Sequence, residues 1–184
     1  LHTAIWADMD GDKVDDLVLG GEYMPISIFT NKKGKLTPLN VAENGLKEES
    51  GWWHSLAAFD FDGDGDLDLI AGNHGTNVVF DCSKDSPTIL YVNDFDKNGS
   101  IDPIITCDIA GVRAPFLSRD MFCEHMPEYN NKFLTNEGYA TMPFDSFFAP
   151  ELFSSAKKMI LSELKSGYFE NLGNGKFAFK PFAP

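Results

Sequence analysis

Three stretches decide how this chain is read: "DMDGDKVDDLV" at Asp8–Val18, "DFDGDGDLDLI" at Asp60–Ile70 and "DFDKNGSIDPI" at Asp94–Ile104. They align without a gap. Each carries Asp at positions 1, 3 and 9 and Gly at position 4 or 6, while position 5 is Asp12, Asp64 or Asn98. Apolar runs precede them ("AIWA", "SLAAF", "ILYV") and follow them ("LVLGG", "LIAG", "IITC"). The repeating unit is therefore strand, acidic loop, strand, and a recurring supersecondary unit of this kind buries its apolar face against its neighbours. A second motif also recurs. Residues 26–36, "ISIFTNKKGKL", resemble residues 167–177, "GYFENLGNGKF", and both read as a β-hairpin with Asn and Gly in the turn.

The acidic loops suit calcium. Ca²⁺ is a hard cation that takes about six to eight oxygens. Alternating Asp residues in a curled loop turn several carboxylates inward, and Gly permits the left-handed backbone that the curl needs. A backbone carbonyl at position 7 adds an oxygen, and Asp at position 9 closes the cage where the next strand starts. The expected ligands are Asp8, Asp10, Asp12 and Asp16 with the Val14 carbonyl; Asp60, Asp62, Asp64 and Asp68 with the Asp66 carbonyl; and Asp94, Asp96, Asn98 and Asp102 with the Ser100 carbonyl. Up to three Ca²⁺ ions are expected. The third site is expected to be the weakest, because Asn98 replaces a carboxylate. An EF-hand needs a bidentate Glu at position 12 and flanking helices; position 12 here is Leu19, Ala71 or Ile105, all apolar. Magnesium prefers small, water-rich octahedral shells and fits less well.

Composition narrows the function classes. Of 184 residues 43% are hydrophobic and 16 are Phe, so a folded core is expected. The net charge of −13 argues against nucleic acid and anionic membrane surfaces as partners. No apolar run has the length of a membrane-spanning helix. The chain opens at Leu1 directly before a strand-like run and reads as a piece of a longer protein, so the lack of a leader says nothing about the parent. Cys82, Cys107 and Cys123 have no CxxC spacing, which disfavours a zinc site or a disulfide framework and leaves one disulfide plus a thiol open.

One region breaks the repeat. From Ser118 to about Leu164, Ser118 can cap a short helix starting near Arg119, and "PELFSSAKKMILSELKSG" reads as a second helix begun by Pro150 and stopped at Gly167. The expected organisation is calcium-loop β repeats over 1–117, a helical insertion over 118–165, and a closing β-hairpin of the same domain over 166–184.

"DFDGDGDLDLIAGN", its two sister loops and the hairpin turns resemble FG-GAP/VCBS repeats, the calcium-loop units of integrin-α-like β-propellers. The resemblance covers roughly residues 3–117 and 166–182. It implies a mainly β fold: a partial β-propeller of four-stranded blades, each with a calcium loop joining two strands, plus the helical insertion. It also implies an exported protein, placed outside the cell, on its surface or in the periplasm. Complete propellers of this type have more blades than this chain can supply. An open arc would present unpaired edges that favour association with a second copy.

Other residues carry less. Trp52 and Trp53 in "GWWHS", and Tyr23, can stack on sugar rings, but such side chains more often fill a core. His74, Asp81 and Cys82 can be drawn as a nucleophile arrangement that no spacing supports, and no GxSxG elbow occurs. "LGNGK" lacks the phosphate-loop spacing. The favoured reading is a binding or interaction module with structural calcium, whose partner is a protein or a glycan, and it leaves the question of enzyme activity open. The alternative is a polysaccharide lyase or lectin propeller, for which His54 and Tyr23 offer single groups but no constellation.

Overall fold

The computed structural model describes residues 1–39, 44–46, 49–80, 82–109 and 111–183. The chain is mainly β and divides into two compact units: Leu1–Val78 with Leu161–Pro184, and Val79–Ile160.

The first unit opens with β1 (Thr3–Ala7), β2 (Asp16–Gly20), β3 (Glu22–Pro25), β4 (Ser27–Lys32) and β5 (Lys35–Pro38), followed by β6 (Ser50–Trp52), β7 (Ser55–Phe59) and β8 (Asp68–Gly72). One antiparallel sheet runs β1-β2-β4-β5. β4 and β5 form the expected hairpin, and Lys33 and Gly34 at its turn both have positive φ (56° and 84°), the signature of a type I′ turn. β3 and β6 pair separately.

The second unit holds β9 (Thr88–Asn93), β10 (Asp102–Ile109), β11 (Val112–Pro115), the helices α1 (Arg119–His125), α2 (Asn136–Thr141) and α3 (Pro150–Ser155), and β12 (Lys157–Leu161). Its sheet runs β11-β10-β9-β12. The Ser118 side chain caps α1 by accepting from the Met121 N–H, as the sequence suggests. Phe122 of α1 is fully buried, with its ring centroid 5.6–5.7 Å from those of Tyr139, Phe133 and Phe147. Much of the chain's Phe content is spent on this aromatic core.

The chain then returns to the first unit as β13 (Gly167–Asn171) and β14 (Phe177–Pro181). These complete the sheet β14-β13-β8-β7, with Leu69 opposite Phe169 and Ala71 opposite Gly167. Leu69, Ala71, Phe169, Val18, Ile28 and Trp53 are buried to 1% exposure or less and form one core. Trp53 is a core side chain whose ring lies 5.6 Å from Phe169, and Trp52 is half-buried.

Two expectations change. The helix expected from Pro150 to Gly167 ends at Ser155, because Ala156 turns to extended backbone (φ −64°, ψ 133°) and Lys157–Leu161 becomes an edge strand beside β9. Along Lys157, Met159 and Leu161 burial rises at every second residue, a period-2 pattern that a short apolar run hides inside an apparent helical rhythm. Gly167 is no helix stop. It lies in β13, where an added Cβ would fall 2.4 Å from the Lys180 carbonyl oxygen. The third acidic loop, with residues 79–117, also belongs to the unit of the helices and not to that of the first two loops.

Gly167→Ala must push β14 away from β13. The substitution is expected to cost about 1–3 kcal/mol in chemical denaturation; an unchanged midpoint would contradict this strand pairing.

Candidate metal centres

The three acidic loops are built alike. Each joins the first two strands of a hairpin, and the residue before position 1 pairs with position 9: Ala7 with Asp16, Phe59 with Asp68, Asn93 with Asp102. Inside the loop, the position-1 carboxylate collects backbone N–H groups. Asp8 accepts from Gly11, Asp12 and Lys13 (2.8–3.1 Å), Asp60 from Gly63 and Gly65 (2.7 and 3.2 Å), and Asp94 from Asn98 and Gly99 (both 3.0 Å).

This curl requires left-handed backbone at positions 4 and 6 in every copy. Gly11 and Lys13, Gly63 and Gly65, and Lys97 and Gly99 have φ between 59° and 103°. The sequence pattern of Gly at 4 or 6 thus reflects two left-handed positions, one of which Lys13 and Lys97 fill against their steric preference.

Position 9 anchors the loop to the sheet. Asp16 and Asp68 are 0% and 1% exposed. Asp16 accepts from the Met9 N–H (3.0 Å) and the Asn31 N–H (2.8 Å), and Asp68 from the Phe61 N–H (2.9 Å) and the Asn171 N–H (2.8 Å). Asp102 accepts from Phe95 (2.8 Å) and is half-buried. Asn31 and Asn171 therefore belong to the site, although neither was among the expected ligands. They hold matching places in the two recurrent hairpins, and that recurrence is the signal that could have found them. Each side-chain amide also donates to the carbonyl at position 8: Asn31 to Asp15 (3.0 Å) and Asn171 to Leu67 (3.2 Å).

The arrangement brings together positions 1, 3 and 9. In Asp8/Asp10/Asp16, Asp60/Asp62/Asp68 and Asp94/Asp96/Asp102, one carboxylate oxygen from each residue lies within 4.8 Å of the others. Three carboxylate oxygens at this spacing are a donor set of the kind a hard divalent cation takes. Position 5 stands apart. Asp12, Asp64 and Asn98 each accept the N–H two residues on, from Val14, Asp66 and Ser100 (2.7–3.0 Å), in Asx-turns. In the first loop the Lys32 ammonium lies 2.7 Å from Asp10 and 2.5 Å from Asp12, so a metal ion there competes with an internal cation.

The electrostatics follow. The hydrogen bond from Lys32 holds the Asp12 carboxyl below its ordinary value. Burial raises that of Asp16 despite two N–H donors. Loss of hydration, with repulsion from neighbouring carboxylates, raises Asp62 and Asp66. Asp16 in the first loop and Asp62 and Asp66 in the second thus carry negative charge at a cost that a cation would relieve.

The structure also places the other candidates, as far as they lie among the described residues. His2, His54 and His74 are exposed and lie near one another, with ring centroids 5.1 Å (His2–His54) and 5.7 Å (His54–His74) apart; Trp52 packs edge-on against His74, and Tyr23 edge-on against Trp52. Asp81 lies outside the described residues. None of the three cysteines is in a disulfide, and Cys107 and Cys123 are buried. No helix among the described residues is long and apolar enough to cross a membrane.

Residues 8–71 match the family described as FG-GAP-like repeat, a span that contains the first two acidic loops and the hairpin between them. No curated protein and no solved structure matches the chain.

Asp68→Ala strands the buried N–H of Asn171 and the part-buried N–H of Phe61. In chelator it is expected to cost about 2–5 kcal/mol, whereas Asp64→Ala costs under about 1 kcal/mol. Equal losses in urea titrations would contradict the anchoring role of position 9.

Proposed function

We propose that this FG-GAP-type repeat protein is a calcium-stabilised binding module, whose acidic loops hold up to three structural Ca²⁺ ions. The convergence of three carboxylates in each of three similarly built loops carries the reading. Side chains at positions 1, 3 and 9 would be the first ligands. Asp12, Asp64 and Asn98 would join by leaving their Asx-turns, and the carbonyls of Val14, Asp66 and Ser100 would complete the oxygen shell. The bound ion would neutralise charge that burial and mutual repulsion make costly, and so fix how two strands leave each loop.

The two four-stranded sheets of the first unit then stand as consecutive propeller blades, in strand order β1-β2-β4-β5 and β7-β8-β13-β14. The second unit interrupts the second of these. A −13 chain with millimolar-range calcium sites suits an exported or cell-surface protein, where calcium is permanently abundant.

Extracellular calcium sites bind at about 10⁻⁴–10⁻³ M, so 10 mM calcium is expected to stabilise the chain by about 1.5–2.7 kcal/mol per site relative to chelator. A melting curve unmoved by calcium would refute the structural-ion role. Protons compete for the same oxygens. Because the Asp16, Asp62 and Asp66 carboxyls are raised, these three groups bind protons more readily in the metal-free fold than in the unfolded chain, whereas Asp12 is lowered and acts in the opposite sense. The stability that the three raised groups contribute therefore falls as pH rises through the range just above the ordinary Asp value of about 3.9. Calcium reverses this by requiring the ionised form. The calcium increment is expected to be full at pH 7 and to vanish as pH falls to about 4; an increment that persists there would contradict carboxylate ligation.

A further inference from the structure

We propose that Asn171 is a positioning residue that couples the first two acidic loops, so that calcium in one raises affinity in the other; this rests on the calcium reading above. Asn31 and Asn171 do the same work for their own loops, through a backbone N–H to position 9 and a side-chain N–H to the position-8 carbonyl. Only Asn171 goes further. Its Nδ2 also donates to the Met9 carbonyl of the first loop at 3.2 Å, across 162 residues of chain. Met9 in turn donates its N–H to Asp16 Oδ2 at 3.0 Å. A continuous path of hydrogen bonds therefore runs from Asp16, through Met9 and Asn171, to Asp68.

Each link is buried. Asp16, Met9, Asp68 and Asn171 are 0–4% exposed, so water cannot replace a broken bond. Both Nδ2 protons of Asn171 are used, on the Met9 and Leu67 carbonyls, and its Oδ1 accepts from the Gly173 N–H at 3.1 Å. The orientation of the amide is fixed by this set of donors and acceptors. In the third loop the equivalent carbonyl, that of Phe95, instead accepts from the Tyr129 hydroxyl at 3.0 Å, within its own unit. The first two loops also line a shared cleft of about 600 Å³, with Asp8 and Asp10 from one and Asp66 from the other.

The physical consequence is a shared geometry. An ion that draws Asp68 into its shell fixes the start of Asn171, and Asn171 then holds the Met9 backbone in the position that presents Asp16 to the first loop. A first-loop site whose backbone is already held loses less freedom on binding, which appears as positive coupling, and the coupling is reciprocal.

The test is a calcium titration followed by amide NMR, reading Gly11 for the first loop and Gly63 for the second. First-loop affinity is measured with the second loop intact and with it disabled by Asp60→Asn and Asp62→Asn. The pair of measurements is repeated in Asn171→Ala and in Asn31→Ala. Disabling the second loop is expected to weaken the first about fivefold or more in wild type and in Asn31→Ala, and by a clearly smaller factor in Asn171→Ala. The electrostatic effect of the lost charges is common to both backgrounds and cancels in the comparison. An equal factor in both backgrounds overturns the proposal, as does a factor of one in wild type. If neither Gly11 nor Gly63 responds to calcium, the calcium reading itself has failed. Asn171→Ser, which keeps the backbone donor but cannot span both carbonyls, replaces the Ala variant if that does not fold. Metal-free hydrogen exchange gives a calcium-independent readout: Met9 N–H exchange rises about tenfold or more in the Asn171 variant and not in Asn31→Ala, and the opposite pattern overturns the proposal.

Discussion

The carboxylate at position 9 is the interaction on which the first unit depends. Asp16 and Asp68 are charged groups with almost no exposed surface, and a buried charge is tolerated only where donors surround it. The donors come from two directions. One is the N–H at position 2 of the same loop, and the other is the N–H of an Asn at the end of the third strand. A single side chain thus closes the loop, sets the register of the strands that flank it and docks the outer hairpin onto the sheet. Removing it would leave three elements without their common fixed point.

The same arrangement explains why the acid is clustered. Position 9 accepts from the sheet and position 1 accepts from the curl, so both are committed to main-chain groups before any ion is considered. Their remaining lone pairs converge with those of position 3. The main chain satisfies part of the charge, and a cation is the simplest partner for the rest. Lys32 shows the demand directly, since its ammonium is drawn to Asp10 and Asp12. In the third loop Asp102 is only half-buried and Asn98 is neutral, so that loop gathers three ligand carboxylates where each of the other two gathers four.

Much of this was legible in the sequence, because the loop pattern is local. Asp at 1, 3 and 9 and Gly at 4 or 6 map directly onto hydrogen bonds and left-handed residues a few positions apart. The hairpins at 26–36 and 167–177 were legible for the same reason. What was not legible is non-local. The strand β8 pairs with β13 across residues 79–160, and no periodicity announces which hairpin completes which sheet. The third loop looked like a third member of one array, yet it folds with the helices. Lys157–Leu161 shares a helical rhythm with the residues around it, because five residues are too few to separate a period of two from one of 3.6. Lys13 and Lys97 hid the second left-handed position in their loops, since side chains other than Gly adopt that backbone only when the surrounding bonds impose it.

The central claim is that these loops are cation sites and not merely well-bonded turns. Equilibrium dialysis against radiolabelled calcium tests it most directly, counting ions per chain at millimolar free calcium. Three bound ions are predicted, one for each Asp triad, with two retained after Asp94→Asn and Asp96→Asn in the third loop. A chain that binds no calcium under these conditions, or whose bound ions are unaffected by substitutions in the loops, would contradict the account.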